Sequence, residues 1–428
     1  YRRQRQMCIR DSPKSGYYVS DLSGIPVHQT EYTSETYEAE EQGTDSRTAK
    51  AGDKVLLTGG ENAFIADFTS NQTEHAAFPF SIWNKTMRAV MNDYQEEMMI
   101  NPPCGGVMEL RKSISSYLKE FCAMYVRPEQ IIIGAGTEYL YSILIQLLGR
   151  NVCYGVENPG YPKIAKIYRS MGVKYEYIDL DEEGTSAKKL EEKKVDIMHI
   201  SPSHHFPTGM VMPISKRYEL LGWVTREKER YIIEDDYDSE LRLAGKPIPS
   251  LQSIDVSGKV IYINTFAKTL CSTVRISYMV LPEALAEKYY RELSFYSCTV
   301  SNFEQYTLAA FMNAGAFEKH INRLRNYYQH KRDLILSTFL REPLGKYITI
   351  SEEDSGVHFL MHVNTSMSEQ EFLLKTRAKG IRLATLSSFY NAEQKDSRYE
   401  NTYVMNYSFV NCDRLEYVAQ TLYKIIHP

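Results

Sequence analysis

The sequence predicts an α/β fold in which a large, mostly parallel β-sheet carries helices on both faces and adjoins a smaller α+β unit. Short apolar or β-branched runs, which are typical of buried strands, recur at residues 131–133, 152–154, 197–200, 231–233 and 260–263. Between the first two runs, five apolar residues share one helical face: Leu140, Ile143, Leu144, Leu147 and Leu148. Strands that alternate with helices at this spacing favour a parallel sheet.

The two ends of the chain have a different texture. Near residue 317 a strongly charged amphipathic helix begins, and short strands follow around residues 357–363 and 402–409. This pattern predicts the separate α+β unit. Before residue 60, Ser, Thr, Glu, Asp and Gly dominate, and the density of apolar residues is too low to hold a core, so residues 20–60 are predicted to be an acidic linker.

Composition excludes several classes of protein. A length of 428 residues leaves room for roughly two to three domains. The net charge of −4 argues against a globally basic nucleic-acid binder, and no apolar run approaches the roughly 18 residues of a membrane span. The seven cysteines are scattered and never spaced as C-x-x-C, so we expect a cytoplasmic protein without a disulfide framework or a zinc site.

The loops that follow the predicted strands are the expected place for functional residues, because parallel sheets bind their ligands at the carboxyl ends of strands. Gly-Ala-Gly-Thr-Glu at 134–138 leads into a helix, where Gly136 and Thr137 could cradle a phosphate or form an ordinary capped turn. Asn-Pro-Gly-Tyr-Pro at 158–162 presents Tyr161, which could stack on a flat ring or be a partly exposed turn residue.

Two further strand ends carry ionisable groups. Residues 234–240 hold five carboxylates, which suit a magnesium site, a solvated acidic turn, or one aspartate paired with a protonated ring nitrogen. Lys268 follows the last apolar run, with Arg275 seven residues later. Burial would lower the pKa of this lysine and make it a nucleophilic amine, although a surface lysine is the plainer alternative.

Adjacent histidines, His204 and His205, suggest a metal site at first sight. Neighbours in a loop point apart, however, and no third ligand stands at metal spacing, so we predict no metal. Together the other segments offer a phosphate cradle, a stacking aromatic, an aspartate, a nucleophilic lysine and an arginine. These are the parts that a pyridoxal 5′-phosphate (PLP) site needs.

From about Phe64 to its end, the chain resembles the aminotransferase-like domain of MocR-type, GntR-family transcriptional regulators, which is itself similar to fold-type-I PLP aminotransferases. The stretches that carry the resemblance are FPFSIW at 78–83, ELR at 109–111, NPGYP at 158–162, SPSH at 201–204, PTG at 207–209, IEDDYDSE at 233–240, TFAKTL at 265–270, FEKHINRLR at 317–325 and SGVHF at 355–359. The resemblance implies a fold-type-I PLP-dependent transferase fold and a homodimer.

The resemblance also implies a role for each site residue. Lys268 would form the internal aldimine with PLP and be the catalytic residue. Asp235 would bind the pyridine nitrogen, Tyr237 would hydrogen-bond the O3′ oxygen, and Tyr161 would stack on the ring. The residues implied for the phosphate are Arg275, Thr265, Gly136 and Thr137.

Two departures from aminotransferases bear on activity. An asparagine usually precedes the Pro-Thr-Gly loop, and here that place is Phe206, as is usual for MocR-type domains. Aminotransferases also carry an arginine on a C-terminal strand for the substrate α-carboxylate, and residues 402–408 contain none, with Arg398 the nearest candidate. Cofactor binding is therefore better supported than full transamination.

The start of the chain resembles the end of a winged helix. Ser-Gly-Tyr-Tyr-Val at 15–19 is similar to the last strand of the wing, and residues 7–12 look like translated sequencing-adapter read-through. We therefore expect five regions: residues 1–19, a non-native start with a wing remnant; 20–60, the acidic linker; 61–100, an arm contributing to the small domain; 101–300, the large PLP domain; and 301–428, the small C-terminal domain.

These features favour the effector domain of a transcriptional regulator that senses PLP or a small amino compound. DNA would be bound only through the missing winged helix, and no membrane partner is expected. The alternative is a catalytically active class I/II aminotransferase that moves an amino group between an amino acid and a 2-oxo acid. A PLP-free structural homologue is a third possibility.

Overall fold

A computed structural model describes residues 9–12, 16–19, 64–243, 248–354, 356–391 and 399–427. The chain divides into two compact units, Tyr1–Glu61 and Asn62–Pro428. In the first unit, strands β1 (Ile9–Ser12) and β2 (Gly16–Val19) pair antiparallel. The predicted linker at 20–60 and the first three residues of the predicted arm, 61–63, lie outside the described residues. The boundaries of the five regions therefore stay predictions.

The second unit alternates strands and helices along most of its length. Its strands are β3 (Ala66–Asp67), β4 (Ile131–Gly134), β5 (Tyr154–Asn158), β6 (Tyr175–Asp179), β7 (Ile197–Ile200), β8 (Tyr231–Asp235), β9 (Val260–Thr265), β10 (Ser277–Val280), β11 (Ile348–Ser351), β12 (His358–Val363), β13 (Ile381–Arg382), β14 (Ala384–Thr385) and β15 (Thr402–Asn406). Its α-helices are α1 (Phe80–Asp93), α2 (Met108–Cys122), α3 (Thr137–Leu148), α4 (Pro162–Ser170), α5 (Ala187–Glu192), α6 (Ile214–Val224), α7 (Leu251–Ile254), α8 (Glu283–Leu293), α9 (Asn302–Asn313), α10 (Ala316–Phe339), α11 (Glu369–Ala378) and α12 (Leu415–Ile426). Short 3-10 turns lie at His75–Ala77, Glu97–Met99, Pro128–Gln130, Ser239–Leu241, Leu344–Lys346, Leu386–Phe389 and Cys412–Arg414.

A seven-stranded sheet forms the centre of this unit, in the order β4-β10-β9-β8-β7-β5-β6. Strands β6, β5, β7, β8 and β9 run parallel, whereas β10 is antiparallel to both β4 and β9. The predicted mostly parallel sheet is therefore confirmed. Strands β4, β7, β9 and β10 are buried on both faces, and this explains why strands such as β4, β7 and β9 read as apolar runs in the sequence.

Helices cover both faces of the sheet. Along β9, Ile261 and Ile263 pack with apolar residues of α3, while the intervening Tyr262 joins a cluster with residues of α2 and α9. Successive side chains of a strand point to opposite faces, so each strand contributes to two cores. Polar residues lie at the carboxyl ends of the parallel strands, for example Asp235 at the end of β8 and Thr265 at the end of β9.

A smaller antiparallel sheet, in the order β11-β12-β15-β14, lies in the C-terminal part of the chain. The long helix α10 contributes Leu324, Tyr328 and Ile335 to the core behind it. Strand β3 pairs in parallel with β13, so a segment near residue 66 is hydrogen-bonded to one near residue 381. Among the described residues, no helix is long and apolar enough to cross a membrane.

Strand β9 supports both the core and the site loop that follows it. Ile263 is fully buried, so we expect Ile263→Ala to lower the free energy of unfolding by about 2–5 kcal/mol through lost contacts and a residual cavity. Val256→Ala, at a fully exposed position nearby, should change it by less than about 0.5 kcal/mol. Urea unfolding followed by fluorescence measures both, and equal effects would contradict the assigned burial.

Candidate functional site

Asp235 ends β8 as a buried carboxylate. The hydroxyl of Tyr141 donates a short hydrogen bond to Oδ2, and Nε2 of His199 lies 3.6 Å from the same oxygen. The other oxygen, Oδ1, is buried and has no hydrogen-bond partner among the described residues. An unsatisfied buried acceptor is costly, so this oxygen is suited to a donor from a ligand.

Tyr141 and His199 hold Asp235 from two neighbouring elements. Tyr141 lies on α3, and burial together with the charge of Asp235 raises its pKa well above the usual value, which keeps the phenol protonated as a donor. His199 lies within β7, and its Nδ1 is 2.9 Å from the hydroxyl of Tyr168. Sequence analysis missed both residues, although a histidine inside the apolar run 197–200 was a visible signal.

Lys268 follows β9, the strand beside β8. Its Nζ donates to Oδ1 of Asn71 at 2.8 Å, and Nδ2 of Asn406 donates to the same oxygen at 2.6 Å. No carboxylate in the described part of the chain forms an ion pair with this amine. Burial lowers the pKa of Lys268, and the more distant charge of Asp238 only partly opposes that effect.

The predicted phosphate cradle brings Gly136, Thr137 and Arg275 together. Gly136 has φ +92°, and a Cβ at this position would lie 2.0 Å from Nη2 of Arg275, so only glycine leaves room for the guanidinium. Arg275 donates to the carbonyl of Ala135 at 3.3 Å and pairs with Glu138 at 2.5 Å. A cation beside a helix N-terminus and small residues is an arrangement that suits an anion, and here the Glu138 carboxylate pairs with the cation.

Two further residues border this cradle. Lys163, which sequence analysis missed, pairs with Glu138 from the neighbouring helix α4. Although burial alone would raise the pKa of Glu138, hydrogen bonds from Lys163 and Arg275 outweigh it and lower the pKa to about 2. Thr265 ends β9 with its hydroxyl accepting from Ser277 at 2.8 Å and from the amide of Ala267 at 3.1 Å.

Tyr161 stands at the start of α4 with its side chain partly exposed, and is therefore able to contact a ligand. Its ring meets that of Phe206 edge-to-face at 5.9 Å. Phe206 also packs on Phe389 at 5.2 Å and on His358 at 5.3 Å. The residue that replaces the expected asparagine is thus part of an aromatic wall beside Tyr161.

Tyr237 follows Asp235 and directs its hydroxyl to within 3.2 Å of Nδ1 of His204. His204, Asp238 and His358 have ligand atoms within 4.8 Å of one another, so the structure brings together a group that could hold a metal ion. Nδ1 of His204 is, however, already engaged by both oxygens of Asp238, at 2.9 and 3.0 Å. The absence of a metal site stays a prediction.

The carboxylates of residues 234–240 are all buried, which contradicts the alternative of a solvated acidic turn. Glu234 accepts from the amides of Leu251 and Gln252, at 2.8 and 2.9 Å. Asp236 accepts from Tyr262 at 2.7 Å and from Ser239 at 2.8 Å, and Glu240 accepts from Asn264 at 3.0 Å. Asp235 is the member that ends β8, and its Oδ1, like Oε2 of Glu240, has no hydrogen-bond partner among the described residues.

The sequence matches the family Aminotransferase class I and II over residues 65–398. The Bacillus subtilis (strain 168) protein named uncharacterized HTH-type transcriptional regulator YdeL is 39% identical over 330 residues, which cover 77% of this chain and 71% of that protein. The probable rhizopine catabolism regulatory protein MocR of Rhizobium meliloti is 30% identical over 322 residues, covering 75% of this chain and 65% of that protein.

The structure is similar to the crystal structure of Pyrococcus horikoshii kynurenine aminotransferase. The TM-score is 0.72 at 22% sequence identity, and the match covers 88% of this chain and 96% of that chain. This likeness confirms the predicted fold-type-I architecture.

One buried acid gives the site region a measurable pH dependence. Burial first, and the charge of Asp236 second, raise the pKa of Glu240 from its ordinary 4.5 to about 8. Above about pH 4.5 the unfolded chain loses this proton while the folded chain keeps it. The contribution of Glu240 to stability is therefore present at low pH and is lost as the pH rises towards about 8.

Glu240→Gln retains the shape of the protonated acid, so we expect it to reduce this loss, by up to about 1.4 kcal/mol for each pH unit. Urea unfolding at about pH 5 and about pH 8 measures the difference. Glu96→Gln, at an exposed position, is the matched control and should follow the wild type. An unchanged pH dependence in Glu240→Gln would contradict the assigned burial of this carboxyl.

Proposed function

The chain belongs to the aminotransferase class I and II family, and we propose that it is the PLP-binding effector domain of a transcriptional regulator. The observation that carries the cofactor assignment is the buried Oδ1 of Asp235, which lacks a donor among the described residues. A protonated pyridine nitrogen supplies such a donor. The cradle at Gly136 and the low-pKa amine of Lys268 fit the phosphate and the aldehyde of the same molecule.

Each residue then has a defined task. Lys268 holds PLP covalently, and Asp235 keeps the proton on the pyridine nitrogen. Tyr237 donates to O3′, and Tyr161 packs against the ring. The phosphate is assigned to Arg275, Thr265, Gly136 and Thr137.

The pyridine ring of bound PLP would supply an electron sink for negative charge on the carbon that carries the ligand's nitrogen. Lys268, as an amine of lowered pKa, would be suited to take up or return the proton of that carbon. Tyr141 would keep Asp235 oriented towards the ring by occupying its second oxygen.

The regulator assignment rests on the relatives. The relatives named above are HTH-type or catabolic regulators, and we assign DNA binding to a helix-turn-helix part rather than to residues 64–427. The sensed ligand is PLP or a small amino compound, and the protein acts as a cytoplasmic homodimer. Sensing requires the ligand to bind two conformations with different affinity.

A catalytically active aminotransferase is the second candidate. The observation in its favour is that Lys268 and Asp235 are both present and neither is blocked by a counter-charge: Nζ contacts only the neutral Asn71 among described partners. Against it, β15 carries no arginine for a substrate carboxylate.

Lys268→Ala should abolish covalent binding of PLP. The purified wild-type protein with PLP should gain a visible absorption band, and borohydride reduction should leave the cofactor on the peptide that contains Lys268. Lys188→Ala is the matched control, because the Lys188 side chain is 85% exposed and pairs with Glu192 on its own helix, α5. A wild-type protein without the band would refute the cofactor assignment.

A ligand panel distinguishes the sensor from the enzyme. The PLP-loaded protein is mixed with amines and amino acids, with and without a 2-oxo acid, while absorption and product are followed. For the sensor we expect a shift of the absorption band with at most about one turnover per site. Sustained production of a new amino acid would instead establish the aminotransferase.

A further inference from the structure

The side chains of Asp238 and His204 lie beside Tyr237 in an arrangement that the roles above do not use. Both are buried, with exposed fractions of 2% and 3%. Nδ1 of His204 lies 2.9 and 3.0 Å from the two oxygens of Asp238 and 3.2 Å from the hydroxyl of Tyr237. Nδ1 of His204 therefore has three oxygen atoms within 3.2 Å, two from Asp238 and one from Tyr237.

The position of the proton on His204 follows from this geometry. Both oxygens of Asp238 lie at nearly the same distance from Nδ1, which is the arrangement of one N–H shared between the two acceptor oxygens of a carboxylate, so we place the proton on Nδ1. A ring nitrogen that carries a proton cannot accept one. The hydroxyl proton of Tyr237 is consequently barred from His204 and must point elsewhere.

A tight backbone approach keeps the pair in place. Gly356 has φ +66°, and a Cβ there would lie 2.3 Å from Cε1 of His204 and 2.4 Å from Oδ2 of Asp238. The carbonyl of Gly356 accepts from Tyr407 at 2.8 Å, which fixes this glycine against the pair. The ring of His358 closes the other side, with its centroid 4.5 Å from that of His204.

We propose that Asp238 and His204 are positioning residues that fix the tautomer of the histidine and thereby aim the hydroxyl proton of Tyr237 at O3′ of the cofactor. The proposal rests on the proposed function, since it needs PLP at this site. It assigns a role to the SPSH and SGVHF segments, which the sequence singled out without one. Other charged or titratable groups acting on Tyr237 are Asp235, Asp236 and Glu157.

Asp238→Asn tests the tautomer. An asparagine can donate its amide hydrogen to Nδ1, so the histidine proton is free to move to Nε2 and Nδ1 becomes an acceptor for Tyr237. In cofactor-free protein labelled with ¹⁵N-histidine, we expect the protonated Nδ1 signal of His204 in the wild type and a protonated Nε2 signal in Asp238→Asn. A wild type protonated at Nε2 alone would overturn the proposal.

Two substitutions of His204 separate positioning from simple packing. The amide of asparagine places an N–H near the position of Nδ1, whereas that of glutamine reaches the position of Nε2. His204→Asn should therefore behave like the wild type, and His204→Gln like Tyr237→Phe. Thermal unfolding of each variant verifies that it is folded.

With PLP bound, the measurement is a pH titration of the visible absorption band, and the result is the pH at its midpoint. Loss of a hydrogen bond to O3′ disfavours the deprotonated form of the bound cofactor. We expect Tyr237→Phe, Asp238→Asn and His204→Gln each to raise the pH midpoint of this titration, which corresponds to an about tenfold higher proton affinity of the bound cofactor. Combining Tyr237→Phe with Asp238→Asn should cause no further increase.

These measurements distinguish two failures. If the wild type does not bind PLP, the proposed function fails, and the tautomer is still decided in the cofactor-free protein. If PLP binds but Asp238→Asn leaves the midpoint unchanged, the positioning role is refuted while the cofactor site stands. Additive effects in the combined variant would likewise contradict it.

Discussion

The site depends on one electrostatic constraint, which is the burial of the Asp235 carboxylate at the end of a central strand. Removing an ionised group from water costs several kcal/mol unless hydrogen bonds replace the lost solvent. Here Tyr141 satisfies one oxygen and leaves the other unsatisfied. The sheet supplies the rigidity for this arrangement, because β8 lies between β7 and β9 and cannot shift without breaking both ladders.

The amine of Lys268, which follows the adjoining strand β9, has a neutral hydrogen-bond partner and no carboxylate paired with it among the described residues. A carboxylate beside it would stabilise the ammonium form and raise its pKa, whereas the amide oxygen of Asn71 holds it without a full counter-charge. Burial then lowers the pKa. A buried carboxylate with an unpartnered oxygen and an amine of lowered pKa thus lie at neighbouring strand ends, so a molecule bound between them would have to provide a donor for the first and an electrophile for the second.

Sequence reasoning predicted the sheet because buried parallel strands read as apolar runs, and it identified Asp235 and Lys268 because both directly follow such runs. It could not find residues whose roles depend on distant partners. Tyr141 sits one helical turn beyond the cradle and looks like an ordinary core aromatic. Asn71 lies 197 positions from Lys268, and nothing local marks it as a partner.

The acidic segment shows a different limit. Its composition fits a solvated turn as well as a site, since periodicity does not reveal which carboxylates are buried. Glu234 accepts from two backbone amides of α7, and one oxygen of Glu240 accepts from Asn264 of β9, while its other oxygen has no partner among the described residues. Those partners come from the tertiary fold, so only the structure shows which of the carboxylate oxygens are hydrogen-bonded.

The pairing of β3 with β13 fixes the chain just before Asn71. Asn71 stands four residues after β3, a span of at most about 14 Å, and its side chain holds the Lys268 amine. A molecule that binds this amine competes with Asn71, whose amide oxygen would still accept the hydrogen bond from Nδ2 of Asn406. The position of the Lys268 amine is therefore tied to residues from both ends of the second unit, Asn71 and Asn406.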